Sequence, residues 1–182
     1  VLSGTTTIQN ETQYMPSTSI NDGLIINRAI DTQSSNVMSI SMWFNTTEKG
    51  GAYYFLTTLQ TANASSSSGN RWYMRLEPGG FMEVGTDATL NKTTFSPNLN
   101  QWYHVVIRSL NSGNAGNMFV DGSFFQSIDG AGFPNFTNIS GYNGIGRNPQ
   151  NKGLVGRIDE YRHYSRYIQN DEIVALYNYG HS

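Results

Sequence analysis

Residues 37–45, VMSISMWFN, alternate cleanly, so Met38, Ile40, Met42 and Phe44 share one face of a strand and Ser39, Ser41 and Trp43 the other. The first set reads as core, which leaves a tryptophan beside two serines on the face expected to meet water. A second pair of alternating runs, 71–77 and 81–85, flanks Pro78-Gly79-Gly80 and predicts a hairpin. Trp72, Met74 and Leu76 fall on one side of it; Arg71, Tyr73 and Arg75 fall on the other. Residues 101–110, 117–120 and 123–128 predict further strands, the last two joined by the tight turn Asp121-Gly122. Shorter signals at 19–30, 52–59 and 145–146 bring the expectation to roughly ten to twelve strands, with 60–70, 111–116 and 147–153 as polar loops.

The periodicity changes once. Residues 156–180, GRIDEYRHYSRYIQNDEIVALYNYG, open as a strand through Asp159 and Glu160, cross an aromatic and basic segment, and end in a short helix that stops at Gly180. Ile173, Leu176 and Tyr177 form its apolar stripe, capped by Gln169 or Asn170. A lone helix after so many strands has only a sheet to pack on, so the pattern predicts an all-β antiparallel sandwich with one C-terminal helix outside it. No repeat of fixed period argues for a solenoid or propeller.

Composition narrows the partners. The chain has 182 residues, 13% of them charged, a net charge of −2 and no cysteine. That balance provides no basic stripe for phosphates, which argues against nucleic acid. It excludes disulfides and thiolate metal sites. No apolar run reaches the ~18 residues of a spanning helix, so membrane insertion is not expected. Residues 1–16 read as a lead-in strand or linker and 17–182 as one domain; the Thr-rich start without Met reads as a processed form or a piece of a larger parent chain.

Several segments taken in order carry a resemblance. SISMWF at 39–44, NQWYHVVI at 100–107, MFVDG at 118–122, GIGR at 144–147 and GRIDEYRHYSR followed by NDEIVALY resemble the concanavalin A-like lectin/glucanase superfamily, and within it the laminin-G-like and pentraxin-like jelly-roll domains. The resemblance spans about 19–180 and implies a jelly-roll β-sandwich. It also implies a structural Ca²⁺ held by oxygen ligands, which on this chain would be Asn21, Asp22, Gly23 and Asp159; the competing reading makes 22–23 a simple turn and gives Asp159 a backbone hydrogen bond.

Candidate chemistry is sparse. Glycoside hydrolysis needs two carboxylates flanking one bond, whereas adjacent Asp159 and Glu160 point to opposite faces of a strand, so no enzyme is expected. His104 and His163 read as structural. Carbohydrate binding is the stronger expectation, because sugars combine apolar C–H faces with hydroxyls and match aromatic rings set beside polar partners. The outward set by alternation is Trp43, Tyr73, Arg71, Arg75, Glu83 and Phe119, which could share one concave sheet. The opposing reading puts Trp43 and Phe119 under a loop or at an interface and makes Arg75 and Glu83 a cross-strand ion pair. The sequence therefore predicts a lectin-like recognition or adhesion domain of an extracellular, cell-surface or virion protein, facing a glycan or glycoprotein. Its rivals are a capsid, fibre or matrix assembly domain, with homo-oligomers, and a degenerate glycoside hydrolase. Six Asn-x-Ser/Thr sequons, at Asn10, Asn45, Asn63, Asn91, Asn135 and Asn138, permit glycosylation.

Overall fold

The computed structural model describes residues 37–60, 71–86, 90–109, 115–129, 143–148 and 153–180, together with the backbone of four short strands nearer the start. Those four are β1 Leu2–Ser3, β2 Thr7–Gln9, β3 Thr12–Met15 and β4 Gly23–Ile26. Then follow β5 Ser39–Thr46, β6 Tyr54–Gln60, β7 Arg71–Leu76, β8 Met82–Thr86 and β9 Leu90–Lys92. The chain continues with β10 Trp102–Ser109, β11 Ala115–Val120, β12 Ser123–Asp129, β13 Asn143–Ile145, β14 Gly156–Tyr164 and the helix α1 Asn170–Gly180.

Two seven-stranded sheets result. The first runs β1-β4-β13-β6-β7-β8-β9 and the second β12-β11-β10-β5-β14-β3-β2. Neighbours are antiparallel throughout, as a sandwich of this kind requires. Residues 1–16 contribute three of the strands to these sheets. The expected loops at 61–70, 111–114 and 149–152 lie outside the described residues, as does His181.

Alternation places the core as expected. Ile40, Met42 and Phe44 from β5 meet Trp72, Met74 and Leu76 from β7, each with almost no exposure. Every such side chain contributes about 1.5–3 kcal/mol by leaving water. The turn at Asp121-Gly122 has φ of 49° and 76°, the left-handed pair that a two-residue hairpin needs. Asp121 also accepts the His104 amide on Oδ1 at 2.9 Å, tying the turn to the neighbouring strand.

β14 departs from the expected boundary. It runs through the aromatic and basic segment to Tyr164, rather than ending near Glu160, because a bulge between Asp159 and Arg162 absorbs extra chain. Glu160 takes φ 51° there, and its amide donates to Asp159 Oδ1 at 2.8 Å. The bulge returns Tyr161 to the interior, where its hydroxyl meets Thr57 Oγ1 of the opposite sheet at 3.1 Å. Burial pushes the Tyr161 phenol up to about 12.

The helix begins with half of a capping box. Gln169 occupies the cap: its carbonyl accepts the Ile173 amide at 3.1 Å, and its own amide donates to Glu172 Oε2 at 2.7 Å. The 165–169 connection is pinned to the second sheet by Arg108, which donates from Nη1 to the Ile168 carbonyl at 2.8 Å and lies over the rings of Phe119 and Tyr167. Ile173 is fully buried and packs with Val106, Phe119 and Ile168, with Leu176 alongside. The helix therefore closes the outer face of the second sheet.

Candidate functional site

The closure corrects the position of two expected ligand residues. Trp43 is 6% exposed and stacks on Tyr177 of α1 with ring centroids 5.5 Å apart. Phe119 is buried under the same helix, among Val106, Ile168 and Ile173. Their faces are outward with respect to the second sheet, as alternation predicted, but α1 covers that face. Tyr73, Arg71, Arg75 and Glu83 belong to the first sheet instead. The six expected residues therefore do not share one concave face.

Under α1, His104 joins Trp43 and Tyr177 in one aromatic group. Its Nε2 is 2.9 Å from Ser41 Oγ, and its Nδ1 is buried without a hydrogen-bond partner. Burial, reinforced by the charge of Arg162, drives its pKa down to about 4, so the ring is neutral at pH 7. His163 faces inward opposite Ile40, and burial takes it down to about 4 as well. Both fit the structural reading.

The remaining four residues do lie together. β7 pairs with β8 so that Arg75 stands opposite Glu83, and the same register puts Glu83 opposite Lys92. Arg75 binds Glu83 through Nη2 at 2.8 Å and Nε at 2.9 Å, which is the cross-strand ion pair. Three rings surround the guanidinium: Tyr53 at 3.9 Å from its centre, Tyr73 at 4.5 Å and Phe55 at 5.4 Å. Tyr73, Phe55 and Arg71 are buried, whereas Tyr53, Arg75 and Glu83 keep part of their surface in solvent. The accessible patch is thus one ring, one guanidinium and one carboxylate, with the exposed ammonium of Lys92 at its edge. Lys92 is held over the Phe81 ring and bridged to Glu77 at 3.0 Å. Sequence reasoning missed Tyr53 and Lys92. The signal for Tyr53 was present, since Tyr53 and Phe55 alternate with the core residues Tyr54 and Leu56.

The two carboxylates of this face are both engaged by neighbouring groups. Glu83 is committed to Arg75, and Glu77 accepts the Phe81 amide at 3.3 Å besides meeting Lys92. Hydrogen bonding at the hairpin, first from Gly79, holds the Glu77 carboxyl below the usual range. It therefore serves as an ionised staple of the turn.

The expected calcium ligands are not assembled by the described residues. Asn21 and Asp22 lie outside those residues. Gly23 opens β4 in the first sheet, paired with Ser3. Asp159 is in the second sheet, at the register position of Trp43 and so on the face turned away from the first sheet. Its Oδ1 already accepts the Glu160 amide. Gly23 and Asp159 therefore stand in different sheets.

With both sheets and the helix in place, comparison with known proteins decides the family. The family model described as the concanavalin A-like lectin/glucanases superfamily matches residues 18–174. The chain belongs to this superfamily. Among solved structures, this concanavalin A-like fold is similar to the receptor-binding domain of botulinum neurotoxin C/D mosaic serotype, with a TM-score of 0.71 and 16% identity over 98% of this chain and 45% of that one. Domain 4 of the extracellular arabinanase AbnA from Geobacillus stearothermophilus, solved with arabinotriose, gives a TM-score of 0.62 and 17% identity over 94% and 79%. A heptameric SAP-like pentraxin from Limulus polyphemus gives 0.64 and 12% over 91% and 81%. The chain spans less than half the length of the neurotoxin domains it resembles. None of the curated protein sequences compared with it matches. At these identities the concanavalin A-like likeness concerns the fold.

Proposed function

We propose that the chain is a noncatalytic, lectin-like recognition domain that binds carbohydrate on the outer face of the first sheet, within a larger secreted, cell-surface or virion protein. The observation that carries this reading is the patch of Tyr53, Arg75 and Glu83. A ring pre-set against an ion pair offers a C–H stacking surface with a donor and an acceptor at fixed positions, the combination a sugar requires. The arabinanase domain, crystallised with arabinotriose, lends support from the same fold. The test is glycan-array binding by the protein and its Tyr53→Ala and Glu83→Gln variants. Loss of the signal in both is expected, with circular dichroism showing that each variant remains folded. Binding that survives both substitutions overturns the placement.

A second reading, assembly through protein contacts, is favoured by β12. It is an edge strand of the second sheet and carries Phe124 at 57% and Phe125 at 39% exposure. An apolar edge is a template for another strand. Light scattering across a concentration series separates the readings: a Phe124-dependent oligomer supports assembly, and a monomer at all concentrations removes it.

A further inference from the structure

Arg108 is 5% exposed and forms no ion pair among the described residues. Its Nη1 donates to the Ile168 carbonyl, and its guanidinium lies over the rings of Phe119 at 4.5 Å and Tyr167 at 4.1 Å. Its Nε is buried without a hydrogen-bond partner. Burial lowers its pKa from the usual arginine value, against the opposing pull of the Tyr167 phenol, and an arginine so placed still carries its proton at pH 7. Two aromatic faces attract the charge, but they offer no lone pair to the five N–H donors of a guanidinium. A cation withdrawn from water without a counter-charge is a cost that an arriving anion would relieve.

The strand register sets polar neighbours beside it. Arg108 stands opposite Asn117 of β11, and Asn117 stands opposite Ser127 of β12. Directly paired residues share a face, so guanidinium, amide and hydroxyl form one row across the outer side of the second sheet. The row runs from the buried Arg108 through the half-buried Asn117 to the exposed Ser127. The next row on that face is apolar: Val106, Phe119 and Phe124, with the Phe124 ring 5.7 Å from Phe119 and 57% exposed. Asp129, the acid nearest this row on β12, stands two strands from Arg108 and two residues beyond Ser127.

One cation, two uncharged donors and an exposed ring describe a particular kind of ligand. A cation would be repelled by Arg108, and an uncharged ligand would leave its charge unmet. A phosphate monoester carries close to two negative charges, twice what one guanidinium neutralises, towards a chain of net charge −2. A carboxylate matches the single charge, and its two oxygens accept more than one N–H. The small part of Arg108 left in water admits a group of that size.

We propose that Arg108, Asn117 and Ser127 form a binding site for an organic carboxylate whose apolar portion rests on Phe124. The site lies on the second sheet and does not depend on carbohydrate binding at the first. It stands on the buried unpaired guanidinium, the register that aligns the row, and the exposed ring beside it.

The test is titration of ¹⁵N-labelled protein with phenylacetate, following the Arg108 Nε–Hε and Asn117 side-chain amide resonances, with phenylacetamide and phenyl phosphate run beside it. Phenylacetate is expected to move both signals with a Kd of about 1 mM, and neutral phenylacetamide to leave Arg108 unmoved. Phe124→Ser is expected to weaken the response roughly fivefold while the fold is retained, since the ring is largely in water. Arg108→Gln would also release the 165–169 connection, so the deciding variant is Asn117→Asp. A carboxylate directly across from Arg108 fills the site from within: it should raise the melting temperature by about 1–3 °C and abolish the response to phenylacetate. No movement of the Arg108 signal at about 20 mM phenylacetate overturns the proposal. Equal shifts with phenylacetamide reduce the site to an apolar contact and overturn it as well. Tighter binding of phenyl phosphate overturns the carboxylate assignment. An Asn117→Asp protein that melts lower and still answers phenylacetate shows that Arg108 has no unmet charge, which overturns the argument at its source.

Discussion

His104 and His163 are the residues at which sequence and environment diverge most. On paper each is an ordinary imidazole with a pKa near 6.5, and in the fold burial lowers both to about 4. The unfolded chain therefore binds protons that the native state refuses. Their stabilising effect is complete above pH 6.5, declines as pH falls, and is lost through about pH 4. A fall from 6.5 to about 4 corresponds to about 3 kcal/mol per group. Urea unfolding between pH 7.5 and 4.5 is expected to show a loss approaching the sum of two such groups, to which Glu77 and Glu172, whose carboxyls the fold holds low, add at the acid end. His104→Gln, which can still reach Ser41, should flatten the slope by about one proton. A profile that is level over this range would remove the burial argument. What the sequence showed of these residues was their strand phase. Whether a given face was wet depended on a helix more than sixty residues away, which no local pattern encodes, and Trp43 was misplaced for the same reason.

At the scale of elements, β14 and α1 divide between the legible and the illegible. The stripe Ile173, Leu176 and Tyr177 was readable because helical spacing is local, and it does face the sheet. The bulge at Asp159 and Glu160 was not, because period-two reading assumes a regular strand and a bulge breaks the phase without a sequence signature of its own. Gly156 is where this strand enters. It has φ +154°, and a Cβ there would lie 2.0 Å from the Asn45 carbonyl oxygen across the β5 ladder. Backbone cannot yield as a side-chain tip can. Gly156→Ala is expected to cost about 3 kcal/mol or more, combining overpacking with backbone strain. Chemical denaturation measures it, and a loss under 1 kcal/mol would mean that β14 shifts freely against β5. The control is Gly51→Ala, where φ is +77° but nothing lies within 4 Å; it should show the cost of backbone conformation alone, about 1 kcal/mol.

The whole molecule decides which residues can act together, and sequence order is a poor guide to that. Arg75 and Glu83 were legible as a pair because one hairpin joins them. The grouping of Trp43 with Tyr73 failed because alternation assigns a face within each sheet and says nothing of which sheet a strand joins. The same rule bears on calcium. An ion of this kind takes six to eight oxygens within about 2.6 Å. Asp159 is on the far face of the second sheet, with one oxygen bonded to its neighbour's amide, and Gly23 is paired in the first. Among the described residues, no group of three or more carboxylates or imidazoles gathers around Asp159. Calcium added to metal-stripped protein is therefore expected to leave the melting temperature unchanged, with no heat by calorimetry. Asp159→Asn should instead act on the bulge: the amide oxygen can still accept from Glu160, so stability should fall by no more than about 1 kcal/mol. A calcium-dependent rise in melting temperature that disappears in Asp159→Asn would show instead that Asp159 is a ligand of the ion.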